Sequence, residues 1–177
     1  MAVYPMLASM MAGANIHSSH VFETRVIPYL LETWLEDYRC FIKGSEILET
    51  SVDGFSYLFD VTVERLIVAW GISHGRHAGA RDRSRMAGHP LSDGPDYHRG
   101  HSIPHTLGGT TDINLVPQLG AVNIGPFREL EKRAVATPGS LYFTYWVYGA
   151  SGSQKPLYVQ QGILIPGSFP DIRTHPN

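Results

Sequence analysis

One change of hydrophobic period, near residue 45, constrains the fold most. In residues 21–42, VFETRVIPYLLETWLEDYRCFI, Leu30, Leu31, Trp34, Leu35, Tyr38 and Phe41 recur at three- and four-residue steps. That is the apolar stripe of one amphipathic helix, a packing element. Pro28 belongs in its first turn, where a missing N–H is tolerated. From residue 46 the period drops to two. EILETSV and FSYLFDV flank Asp53-Gly54, a two-residue hairpin signal, and RLIVAWGIS follows as a buried-strand pattern. A helix followed by an antiparallel meander points to an α+β fold.

A chain of 177 residues suits one domain, or one domain with a short extension, and is long enough to bury a sizeable core. The expected division is a helical extension over 1–45, the main domain over 46–170 and a loose tail over 171–177. The net charge of −2 gives no global basic field, so a polyanion must be caught locally. Cys40 is the single cysteine, so no intrachain disulfide forms, and it is expected to be a buried small apolar residue. The opening MAVYPMLASMMAGANIHSSH has no Lys or Arg before its apolar stretch, which makes it a poor secretory signal. No apolar run reaches about 18 residues, so no membrane-spanning helix is expected. Cytoplasmic residence and delivery by a route without a standard signal both remain open.

Residues 74–95 form a long loop rich in Gly, Pro and Arg. Arg76, Arg81, Arg83 and Arg85 against Asp82 make it basic: a solvated loop or a phosphate-contacting one. Further on, INLVPQ reads as a short strand. Pro126 opens a helix carried by FRELEKRAVA, with Phe127, Leu130 and Ala134 on one face, and Pro138-Gly139 stops it. SLYFTYWVYG, alternating, and PLYVQQGILIP are strands, the first with aromatics for the core or a sheet face.

Between loop and helix lies DYHRGHSIPHTLGGTTDINLVPQ, residues 96–118, which holds three of the nine histidines. His101 follows Arg99-Gly100, Gly108-Gly109 lies seven residues on, the next strand presents Asn114, and Asn123 and Glu131 follow. On a continuous helix eight residues turn by about 800°, which would leave Asn123 and Glu131 roughly 80° apart and two turns distant. A hairpin carrying a histidine and a helix carrying an amide and a carboxylate can then close on one polar pocket. Such a trio suits phosphodiester cleavage with a hard cation. Mg²⁺ takes oxygen ligands and keeps several waters, and a neutral imidazole can accept a proton from water near neutral pH.

The string HRGHSIPHTLGGTTDINLVPQLGAVNIGPFRELE resembles the DNA/RNA non-specific endonucleases of the ββα-metal (His-Me finger) group, especially the bacterial toxin-type branch. The shared pattern runs GH, GG, NLVPQ, N-x-G and a helix ending in LE, and covers about residues 96–168. The resemblance implies a ββα finger within an antiparallel sheet. His101 would be the general base and Asn123 the direct ligand of Mg²⁺, with Mn²⁺ as a substitute. Glu131 would contact the metal through water or orient its shell. Asn114 would orient the histidine hairpin or support the metal site. Arg99, Arg128 or Arg133 would hold the scissile phosphate. It further implies a DNA or RNA substrate and an immunity protein as candidate partner. Many relatives read D-R-G-H, whereas position 98 here is His, and this chain is acidic where many such nucleases are basic.

Two readings stand against a nuclease. One is a binding module on a nuclease-like fold that holds nucleic acid or protein without cutting. The other is a zinc site built from His98, His101 and His105, although Pro104 disfavours the helix that would align them. Read singly, His98 and His105 are polar surface, Asn123 is a helix cap, and Glu131 is a surface carboxylate beside Lys132 and Arg128.

Overall fold

The computed structural model describes residues 1–12, 19–79, 94–149 and 152–177. It begins with α1 (Leu7–Ala12), α2 (Ser19–Val21), a π-helical turn (Phe22–Val26) and α3 (Ile27–Phe41). Strands β1 (Ile47–Val52), β2 (Phe55–Asp60) and β3 (Arg65–Ile72) follow. Next come β4 (Tyr97–His101), β5 (Leu115–Leu119), α4 (Gly120–Ile124) and α5 (Phe127–Ala136), then β6 (Leu141–Val147), β7 (Tyr158–Leu164) and β8 (Asp171–Pro176). The fold is α+β. An antiparallel six-stranded sheet has the order β1-β2-β3-β6-β7-β8, and β4 and β5 form a separate hairpin. The hairpin, α4 and α5 make a ββα unit inserted between β3 and β6.

The period change at residue 45 marks a real boundary between elements. The β1–β2 turn has Asp53 at φ 51° and Gly54 at φ 83°. Two left-handed residues in a two-residue loop match the twist of the strands they join. The helix expected over 21–42 is α-helical only from Ile27, with Pro28 in its first turn. A proline at 28 has no N–H to return to the carbonyl four residues earlier, and the chain before it takes the wider π turn.

The sheet is covered on both faces. On one, α3 buries Leu30, Trp34 and Tyr38, and the Trp34 ring centroid lies 5.0 Å from Phe143 and 6.0 Å from Trp70. Tyr4 ties this layer to β7: its hydroxyl accepts from Trp34 Nε1 at 2.9 Å and donates to Gln160 Oε1 at 2.7 Å. On the other face the ββα unit docks, with Phe127 of α5 stacked 6.4 Å from Trp146. All seven residues of β6 are therefore buried. The alternation of SLYFTYWVYG separates two apolar layers, not core from solvent, as in other sheets covered on both sides.

Two expectations are corrected. Residues 171–177 are not a loose tail: β8 pairs antiparallel with β7 from Ile163↔Asp171 to Tyr158↔Pro176. The backbone of β7 had a free edge, and β8 fills it. Cys40 is exposed, not buried. It follows Tyr38 by two positions, about 200° around the helix, and so points away from the stripe that meets the sheet. Among the described residues no helix is long and apolar enough to cross a membrane.

Candidate active site

The β4–β5 register pairs Tyr97 with Leu119 and His101 with Leu115, so His101 is the last residue of its strand. The two residues after it are held from both sides. Ser102 N donates to Asn114 O at 2.9 Å, and the Ser102 Oγ and carbonyl accept from Trp146 Nε1 at 2.7 Å and Thr144 Oγ1 at 3.2 Å. Ile103 is gripped by Asn114, whose Oδ1 accepts Ile103 N–H at 2.7 Å while its Nδ2 donates to the Ile103 and Thr110 carbonyls at 2.8 and 2.9 Å. This is a second-strand contact made by a side chain. The tandem glycines make room for it: Gly108 sits at φ 106°, and a Cβ on Gly109 would overlap the Ile103 carbonyl oxygen. His101, a residue 8% exposed, thus carries its imidazole on fixed backbone.

The helix after β5 is not continuous. It breaks at Gly125 (φ −104°, ψ −114°), with Asn123 in α4 and Glu131 in α5. The expected 80° relation along one helix does not apply, because Gly125 and Pro126 reset the axis between the two residues. Their side chains nevertheless line the same cleft. The α5 helix is anchored at its start by Gln161, whose Nε2 donates at 2.8 Å to both the Phe127 carbonyl and the Tyr142 hydroxyl. Burial, and next the negative charge of Glu131, push the Tyr142 phenol well above its ordinary range, so it stays a neutral buttress. Neither Gln161 nor Tyr142 is marked by the sequence; β7 and β6 bring them under α5 from over ten residues away.

The cleft has a volume of about 910 Å³ and gathers His101, Arg99, Asn123, Arg128 and Glu131. Asn114 is fully buried and lies behind it, where it holds the backbone. Arg133 is not brought to the cleft: its guanidinium pairs with Asp171 of β8 at 2.6 Å, on another face of α5. Arg76, His98, His105 and Lys132 also line the walls. His98, read singly as surface, has its Nδ1 3.3 Å from Asn123 Nδ2, and His105 meets His77 edge-on at 5.9 Å between centroids. Arg76 and Lys132 were foreshadowed only by the basic composition of 74–95 and by the sequence next to Glu131. Among the described residues, the lining carries Arg76, Arg99, Arg128 and Lys132 against one carboxylate, Glu131. A cationic cleft thus sits in a chain of net charge −2. Arg81, Arg83 and Arg85 lie outside the described residues.

An amide oxygen and a carboxylate on one wall suit Mg²⁺, which binds through one or two protein oxygens and keeps its remaining waters. The donor set does not suit structural zinc. Among the described residues no group of three or more His, Cys, Asp or Glu is placed to hold a metal ion. His98, His101 and His105 are strung along an extended strand and the turn after it, not wound onto one helix face.

No family model matches the chain, and no curated protein does. Among solved structures it is similar to NucA from Streptococcus agalactiae. The form with no metal bound matches with a TM-score of 0.51 at 14% identity, over 82% of this chain and 89% of that one. The form with a magnesium ion bound matches with a TM-score of 0.51 at 14% identity, over 82% and 88%. The two chains share a fold.

Proposed function

We propose that the chain is a metal-dependent nuclease that hydrolyses phosphodiester bonds of DNA, RNA or both without reading sequence. The convergence of His101, Asn123 and Glu131 on one cationic cleft carries this reading. The motif resemblance over residues 96–168 and the fold shared with NucA, a nuclease with a magnesium-bound form, support it.

His101 acts as the general base. Its imidazole accepts a proton from the attacking water, and the backbone pinned by Asn114 and Ser102 keeps that ring in place as charge moves. Arg99 and Arg128 hold the phosphate and offset the negative charge that grows on its oxygens. Asn123 would ligate a magnesium or manganese ion through its amide oxygen, and Glu131 would hold the ion's hydration shell. When bound, the ion polarises the phosphate and stabilises the leaving oxygen. Arg76 and Lys132 extend the positive walls along the nucleic-acid backbone and make contacts indifferent to base identity. The toxin-type motifs extend the proposal to a delivered effector, with an immunity protein as its partner.

The test is a panel of plasmid, single-stranded DNA and RNA with Mg²⁺, Mn²⁺ or EDTA. Wild type should degrade at least one substrate with metal and none in EDTA. His101→Ala should lower the rate by about 10² to 10⁴ without loss of fold. Wild-type protein that binds nucleic acid equally well in EDTA and leaves every substrate intact across divalent metals would establish a non-cleaving binding module instead.

A further inference from the structure

We infer that His98 is a positioning residue for the cation site: its Nδ1 accepts a hydrogen bond from Asn123 Nδ2 and so keeps the amide oxygen of Asn123 turned toward the metal. The inference rests on the proposed role of Asn123.

A carboxamide has two ends of nearly equal shape and opposite chemistry. Only its oxygen can ligate a hard cation, and only its hydrogen bonds decide which end is presented. Asn123 is badly placed to settle this alone. It is the fourth of five residues of α4, two residues before the break at Gly125, and its side chain is only partly buried. Among the described residues its one side-chain hydrogen bond is to His98, at 3.3 Å. An imidazole nitrogen that accepts there must face the NH₂ end, which leaves Oδ1 on the opposite side of the amide. Both residues line the same cleft.

His98 is itself seated. A Cβ on Gly120 would lie 2.8 Å from His98 Nε2 and 3.0 Å from Cε1, so the ring rests against the backbone that opens α4. Gly120 N donates to Asp96 O at 2.7 Å and holds that opening to the start of β4. The ring therefore bridges β4 and α4, with one edge on Gly120 and its Nδ1 at Asn123.

The experiment is Mn²⁺ binding by electron paramagnetic resonance, without nucleic acid, on wild type, Asn123→Ala, His98→Ala, His98→Asn and Gly120→Ala, with circular dichroism on each. Asn123→Ala should lose the site. His98→Ala should bind about tenfold or more weakly, the usual cost of removing a group that orients a metal ligand. His98→Asn should recover most of the affinity, because its Oδ1 takes the place of Nδ1. Gly120→Ala keeps His98 but displaces its ring, and should weaken binding in the same sense. Wild-type affinity in His98→Ala and Gly120→Ala, with the site lost in Asn123→Ala, would overturn the positioning role alone. Wild-type affinity in Asn123→Ala would overturn the ligand assignment beneath it.

Discussion

Asn114 closes on Ile103 from both ends, its Oδ1 taking the Ile103 N–H at 2.7 Å and its Nδ2 donating to the Ile103 carbonyl at 2.8 Å. The residue next but one to His101 is thereby held by a side chain in the manner of a strand partner. Asn114→Ala would leave both groups of a buried residue unsatisfied, at about 1–3 kcal/mol each. The expected outcome is a lower urea midpoint and slower cleavage with unchanged Mn²⁺ affinity. Weakened Mn²⁺ binding at undiminished stability would move Asn114 into the metal site.

Asn177 makes a similar grip on the far side of the hairpin. Its Oδ1 accepts Leu119 N–H at 2.8 Å, and its Nδ2 donates to the Pro117 and Pro156 carbonyls, each at 3.0 Å. β5 is thus paired by β4 along one edge and by a side chain along the other. In Asn177→Ala the Leu119 amide should exchange hydrogen faster, with a stability loss of about 0.5–1.5 kcal/mol per bond removed. Unchanged exchange at Leu119 would show that the hairpin holds without this clamp.

Arg128 and Arg133 lie on the same helix with different partners, and that separates their effects. Arg128 lines the cleft, whereas Arg133 pairs with Asp171. Arg128→Ala should weaken duplex binding and reduce the slope of log affinity against log salt by about 0.9, one phosphate contact. Arg133→Ala should leave that slope alone. Equal slopes for both variants would remove Arg128 from the phosphate path.

His175 makes stability depend on pH. Burial, and next the positive charge of Arg173, hold its imidazole below the ordinary value of 6.5, against a smaller opposing effect of Glu129. The unfolded chain therefore takes up this proton first as pH falls. The stability contribution is present above 6.5 and is lost progressively as pH drops through that value toward the lower folded one. The ring packs 6.0 Å from Phe127 at the start of α5, so the loss falls on the helix that carries Glu131. The fall in Tm below pH 6.5 should be shallower in His175→Phe, and an equally steep fall would assign the effect to other groups.

Local chemistry was legible wherever it depends on neighbours in the chain. The Asp53-Gly54 turn, the α3 stripe, the strands of the meander and the helix opened by Pro126 all follow from spacing and backbone preference. The histidine-bearing hairpin could be placed because its motif elements are contiguous. Pattern reading failed where burial depends on what covers a surface. It could not foresee that β6 is packed on both faces, or that residues 171–176 find an open strand edge.

The site divides in the same way. The amino-acid sequence by itself nominated His101, Asn123, Glu131 and the arginines around them as candidates, because side-chain type and order along the chain carry the motif resemblance. Tertiary structure alone decided which of them meet. It took Asn114 behind the cleft and gave Arg133 to β8. It brought His98 onto Asn123 and set Asn123 and Glu131 on two helical segments around one space. Proximity of groups far apart in the chain comes from packing against shared partners, here Gln161, Trp146 and the sheet beneath them, and no local pattern encodes that.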